Sequence, residues 1–440
     1  MNIEDNWQRP SWVRSLSQLG PGLLMAGAAV GVSHLVQSTR AGALYGWGAL
    51  VFVLLANLMK YPFYEYGHRY AAVSGQTLIQ AYRQQGKRFF MPFLAISLVS
   101  AVGSFAVDAF VAAMLVQYLW LPQVPVTALA VGVLLLCWAL IAVGRYRLFE
   151  QITKVCVILL TVATVGAVVM AVLRTVGTAV MIEGAVETTQ LVTELATELA
   201  IEPVRGSIFT WSAVPFVIAF MGWMPGGLEL SVWQSLWVQA ASQEKGEAIS
   251  LAEARFDFNV GYGLTVMLAC LFLILGTLTL PDQGLANEPA AFAGQLVGMY
   301  TSYIGAWAEP VIGICAIAAI FSTTFTVVDA FPRTLEAGLH ELFPSTQNSL
   351  LPIRQLIALT LIGLAAILLS AFTAGFEPLI DTITIIAFTC APLYAWLNMR
   401  SIRTLNEADQ PPLWLSRLAI VGFAYLLGFS LLFVVLQIYG

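Results

Sequence analysis

Apolar runs long enough to cross a bilayer as a helix, about 20 residues each, recur along the whole chain. Only 10% of the 440 residues are charged and 59% are hydrophobic, whereas a soluble domain carries about 25% charged residues. The chain therefore reads as one all-α bundle in lipid, where each helix satisfies its own backbone. Eleven spans can be drawn, at 19–46, 47–73, 89–119, 124–144, 149–173, 208–240, 256–281, 308–332, 351–371, 376–398 and 413–438. The five cysteines all fall inside apolar runs without CxxC spacing, which speaks against disulfides and zinc sites. No short apolar core before a small-residue cleavage site opens the chain, so no signal peptide is expected.

Lys and Arg alternate with the spans. Arg9 and Arg14 precede the first, and Lys60, Arg69, Arg83, Lys87 and Arg88 end or follow the second. Arg145, Arg147, Lys154, Lys245, Arg255, Arg333, Arg354, Arg400, Arg403 and Arg417 fall on the same side. The opposite side holds Arg174 and Arg205. The positive-inside rule then predicts a cytoplasmic N-terminus and an outside C-terminus in a plasma, or bacterial inner, membrane. The acidic, amphipathic segment 175–207 is expected outside, as a solvated or interfacial cap.

Two spans are interrupted. Span 1 contains Gly27-Ala28-Ala29-Val30-Gly31-Val32-Ser33-His34, and span 6 contains Met224-Pro225-Gly226-Gly227. These are the leading spans of two five-span halves. Interrupted helices at matching positions in two halves point to inverted repeats around a midplane site. One transmembrane domain over 1–440 is expected, with repeats at 19–173 and 208–398 and an extra helix at 413–438.

Gly20-Pro21-Gly22-Leu23-Leu24, followed by Gln37-Ser38-Thr39-Arg40-Ala41-Gly42-Ala43-Leu44-Tyr45-Gly46, resembles the first helix of the Nramp family. The run at 54–59, Met224-Pro225 and Ser322-Thr323-Thr324 are similar too, and the resemblance runs through spans 1 to 10. It implies a LeuT-type 5+5 inverted repeat with helices 1 and 6 broken, and proton-coupled transport of divalent metals. The chain departs from that family at the chemistry. Where Nramp proteins carry Asp-Pro-Gly-Asn, this chain has Gly31, Val32, Ser33 and His34; where they carry Met-Pro-His, it has Met224, Pro225 and Gly226.

The substrate-binding candidates are therefore Gly31, Ser33, His34, Met224, Gly226, Gly227 and Glu229. His34, Met224 and Glu229 are the potential ligands if a cation is carried. Asp108, Asp329, Asp381 and Arg40 are intramembrane charges, functional candidates by default as a proton or charge relay. Pairing of Arg40 with one of the aspartates is the structural alternative. By resemblance, Ser322, Thr323 and Thr324 would supply hydroxyls to a bound coupling Na⁺, against back-bonding to the preceding turn.

Open N–H groups at two half-helix N-termini favour a small anion such as bicarbonate. The alternative keeps a divalent cation, Mn, Fe or Mg, on a rebuilt ligand set. A neutral or zwitterionic solute ranks lower. With no HExxH, no GxSxG and no paired intramembrane aspartates, an enzyme is not expected. The expected partners are a small ion and the lipid bilayer, not nucleic acid; no cofactor is called for beyond Na⁺. Oligomeric state is not legible.

Overall fold

The computed structural model describes residues 20–144, 158–174, 206–280, 285–286, 288–348, 352–372 and 375–439. All but the last two residues of the acidic segment lie outside them, as do Arg145, Arg147, Lys154 and Cys156. Among the described residues the regular elements are all helices, and eight of them are long and apolar enough to cross a membrane, against the eleven spans drawn.

Span 1 is broken into α1 (Pro21–Ala29), a π-helical turn at Ser33–Ser38 and α2 (Thr39–Tyr45). Next come α3 (Ala49–Ser74), a short α4 (Leu78–Gln84), α5 (Lys87–Leu119), α6 (Val126–Val143) and α7 (Ile158–Arg174). Span 6 is broken into α8 (Val214–Gly222) and α9 (Leu230–Lys245). Then follow α10 (Leu251–Thr279), α11 (Pro289–Ile304), α12 (Glu309–Leu342), α13 (Ile353–Ala371), α14 (Phe376–Ile402) and α15 (Leu413–Tyr439).

Local chemistry sets the ends. Gly75, Gly144 and Gly246 take φ of 69°, 71° and 72° at the C-caps of α3, α6 and α9, a left-handed turn glycine adopts without a Cβ penalty. Thr77 with Gln80, and Ser250 with Glu253, form capping boxes at the starts of α4 and α10.

Apolar surface gives no driving force between helices in lipid, so close packing must supply it. Glycine provides the approach along α10. A Cβ on Gly22 or Gly261 would strike the facing backbone of the other helix, and Gly42 and Gly276 are similarly pressed against Leu273 and Thr39. Both halves of span 1 are thereby clamped to α10. At the centre, α12 lies along α5, α9 along α3 and α8 along α14. Exposed Leu136, Val162, Leu173, Ile367, Val421 and Leu431 give α6, α7, α13 and α15 apolar outer faces.

Two expectations need correction. The stretch 282–308, drawn as a loop, contains α11, a helix too short to have registered as a span. Lys60 and Arg69, counted as charges at an aqueous rim, are 0% and 3% exposed. Lys60 lies near the middle of α3, and Arg69 pairs with Glu65 one turn away at 2.5 Å.

Candidate functional site

Each break leaves backbone groups without helical partners, and side chains from other helices reach them. At the start of α1, Gly20 and Gly22 donate their N–H groups to the Asp257 carboxylate at 3.0 and 2.6 Å. At its end Val30 turns out of the helix (φ −78°, ψ 71°). The Thr323 hydroxyl, from α12, donates toward the Gly27 and Val30 carbonyls at 3.1 and 3.4 Å. Gly31 fits only because it lacks a side chain: a Cβ there would sit 2.5 Å from Thr323 Oγ1. Gly31→Ala should therefore cost about 1–3 kcal/mol by overpacking, and Thr323→Ala in the same chain should recover part of it in a thermal-melting assay.

Ser33 opens the π-helical turn. Its Oγ lies 2.9 Å from Ala29 O, 2.8 Å from His34 Nδ1 and 3.4 Å from Pro225 O, which joins the two breaks. His34 is wholly buried, with Nε2 3.0 Å from Thr265 O. When Nε2 donates to that carbonyl and the ring is neutral, Nδ1 is an acceptor. Ser33 then has one proton for three acceptors.

The second break runs from Trp223 to Glu229 and includes a cis Met224–Pro225 bond. Lys60 Nζ donates to Met221 O, Gly222 O and Gly226 O at 2.7, 2.8 and 3.1 Å. The Tyr64 hydroxyl lies 2.6 Å from Gly226 O and 3.1 Å from Gly227 O. The Glu229 carboxylate folds back over the first turn of α9, against Gly227.

Between the breaks lies a cavity of about 40 Å³, room for roughly three waters at 10–15 Å³ each. Asp108 and Ser104, one turn apart on α5, line it together with Ser33, Glu229 and Thr323. Pro225, Gly226, Gly227, Trp223 and Trp233 also line it. Asp108 and Glu229 are 3% and 6% exposed. Among the described residues neither takes part in an ion pair.

Of the residues singled out in the sequence, Ser33, Gly226, Gly227, Glu229, Asp108 and Thr323 meet at this cavity. Gly31, His34 and Met224 stand at the breaks but outside its lining, and His34 touches it only through Ser33. Ser322 faces Gly27, while Thr324 bonds back to Ile320 O at 2.9 Å. Asp329 pairs with Arg333 at 2.8 Å. Arg40 pairs with Asp381 at 2.9 Å and lies 3.4 Å from Glu377. The sequence reading missed Lys60, Tyr64, Ser104 and the two tryptophans. A lysine flanked by apolar turns on both sides was a readable signal for the first.

Two broken helices around a small polar cavity are the mark of the LeuT-type fold, here in an integral membrane protein. No family profile matches the chain. It is 33% identical to the uncharacterized protein PM0681 of Pasteurella multocida, over 98% of this chain and 94% of that one. It is 25% identical to the divalent metal cation transporter MntH of Staphylococcus aureus, over 71% of this chain and 64% of that one. Its fold matches the manganese transporter of Eremococcus coleocola with a TM-score of 0.69 at 14% identity, covering 96% of this chain and 86% of that one. It also matches MhsT, solved with L-phenylalanine, with a TM-score of 0.61 at 16% identity, over 94% and 97% of the two chains. The chain belongs to the family of PM0681 and resembles the Nramp group in sequence and in fold.

Proposed function

We propose that the chain carries a small, hard divalent cation, of the Mg²⁺ or Mn²⁺ class, through the cavity between its breaks. The observation that carries this reading is a pair of buried carboxylates, Asp108 and Glu229, on one cavity with no ion-pair partner among the described residues. Two such charges in low dielectric are costly unless a cation joins them. The side-chain donors on the lining are oxygens: two carboxylates and the hydroxyls of Ser33, Ser104 and Thr323. Oxygen donors suit Mg²⁺ and Mn²⁺ over softer metals, and Mg²⁺ keeps part of its hydration shell while binding one or two carboxylates.

The anion reading rested on open N–H groups at the start of α9. Glu229 folds its own carboxylate over that turn, which disfavours a second negative charge there. The likeness to MntH, a divalent metal cation transporter, and to the Eremococcus manganese transporter supports the cation. Coupling to H⁺ or Na⁺ fits the fold, with Thr323 and the Gly27 and Val30 carbonyls as candidate Na⁺ oxygens. The charge alternation supports a cytoplasmic N-terminus and an outside C-terminus.

The test is uptake by proteoliposomes under imposed Na⁺ and H⁺ gradients, comparing Mg²⁺ and Mn²⁺ with radiolabelled bicarbonate. Gradient-driven metal entry is the expected result. Bicarbonate entry without metal flux would restore the anion reading and end this one.

A further inference from the structure

The last carbonyls of an α-helix have no intrahelical donors, and its C-terminus carries about half a negative charge. In α8 this end is buried at the second break, where solvent does not satisfy it. The Met221 and Gly222 carbonyls converge there with that of Gly226 on a single atom, Lys60 Nζ. An ammonium has three N–H donors, and here each has one acceptor. Lys60 is 0% exposed, and among the described residues it forms no ion pair with a carboxylate. Glu229 acts on this ammonium through space, but the groups in direct contact with the charge are the three carbonyls.

Unwound carbonyls and half-helix C-termini are also the groups that ion-coupled carriers use to coordinate Na⁺ or H⁺. The end of α1 is met differently, by the neutral hydroxyl of Thr323. We propose that Lys60 is a tethered coupling cation, whose ammonium fills the position at the α8–α9 break that a free monovalent cation would otherwise take. Gly226 connects the two sites, because it lines the cavity while its carbonyl accepts from both Lys60 and Tyr64. Charge on Lys60 is therefore felt where the cargo sits. One break brings its own cation, and the other is left for an ion from solution.

This inference goes beyond the cargo reading and does not rest on it, since binding of radiolabelled Na⁺ to purified protein is read without cargo. Lys60→Ala empties the cradle of its ammonium and leaves the three carbonyls. It is expected to bind one more Na⁺ per chain than the parent, with methylammonium competing and choline not. With the same Na⁺ gradient present, reconstituted Lys60→Ala should take up Mn²⁺ about tenfold faster with added methylammonium than with added choline, a response the parent lacks. A role confined to holding the helices together would add no Na⁺ to the count.

If Lys60→Ala does not fold in choline, recovery of monodisperse protein in methylammonium supports the proposal. Failure in every salt counts against it. The proposal is overturned by folded Lys60→Ala with the parental Na⁺ count. It is equally overturned by Lys60→Met, which fills the volume without the charge, taking up Mn²⁺ at the parental rate under the same Na⁺ gradient.

Discussion

Asp108→Asn or Glu229→Gln lowers divalent-cation uptake about 10- to 100-fold, the equivalent of losing one charged contact of 1.5–3 kcal/mol; the double variant is inactive. Both replacements keep shape and remove charge. Their effect on folding should run the opposite way. Without cargo, two buried carboxylates face one cavity, and neutralising either removes like-charge repulsion and a desolvation cost. The metal-free melting temperature should therefore hold or rise in Asp108→Asn, whereas Glu229→Gln also removes an attraction to Lys60 and should gain less. Cargo binding stabilises the parent by RT ln(1 + [L]/Kd), and that metal-dependent rise should vanish in the double variant. Protons compete with metal for carboxylates, so parental binding weakens as pH falls. The double variant, with no carboxylate to protonate, loses that dependence. A double variant that keeps both uptake and the metal-induced rise would remove these residues from the site.

The breaks were legible because their causes are local. Glycine at 27 and 31, and proline followed by two glycines at 225–227, interrupt apolar runs that otherwise satisfy their own backbone. Asp108, Ser33 and Glu229 were legible for the same reason: a polar side chain in such a run needs a partner inside the bundle. Direction was not legible. His34 and Met224 occupy the breaks by sequence, yet whether a side chain in irregular backbone turns toward the cavity depends on dihedrals that residue spacing does not encode. Arg40 had three aspartates to choose from, and only the folding of α14 against the span-1 side of the bundle selects Asp381 and Glu377. Lys60 was misread for another reason. It was assigned to the end of its span, when its position well inside α3 marked it as an intramembrane charge. α11 escaped because proline and interspersed glycines weaken the apolar signal of a helix already too short to span the bilayer.

Neutralising the acids around Arg40 should destabilise the fold more than removing Arg40 itself. The Arg40 guanidinium is 4% exposed, whereas the Asp381 and Glu377 side chains are 27% and 28% exposed. Asp381→Asn with Glu377→Gln leaves a buried cation whose remaining support is Gln37 Oε1, 2.7 Å away, and the Phe216 ring at 5.6 Å. Loss of the partner of a buried charge costs about 3–5 kcal/mol. Arg40→Met leaves two carboxylates that water still reaches, and it retains an apolar chain against Phe216, so about 1–2 kcal/mol is expected for the broken contacts. Cys137 and Cys315 are buried, so a thiol-reactive dye reports unfolding of detergent-solubilised protein. The acid double variant should melt lowest, Arg40→Met between it and the parent. The reverse order would mean that the carboxylates depend on Arg40 more than it depends on them, and that the ion pair is held from α14 rather than from the broken first helix.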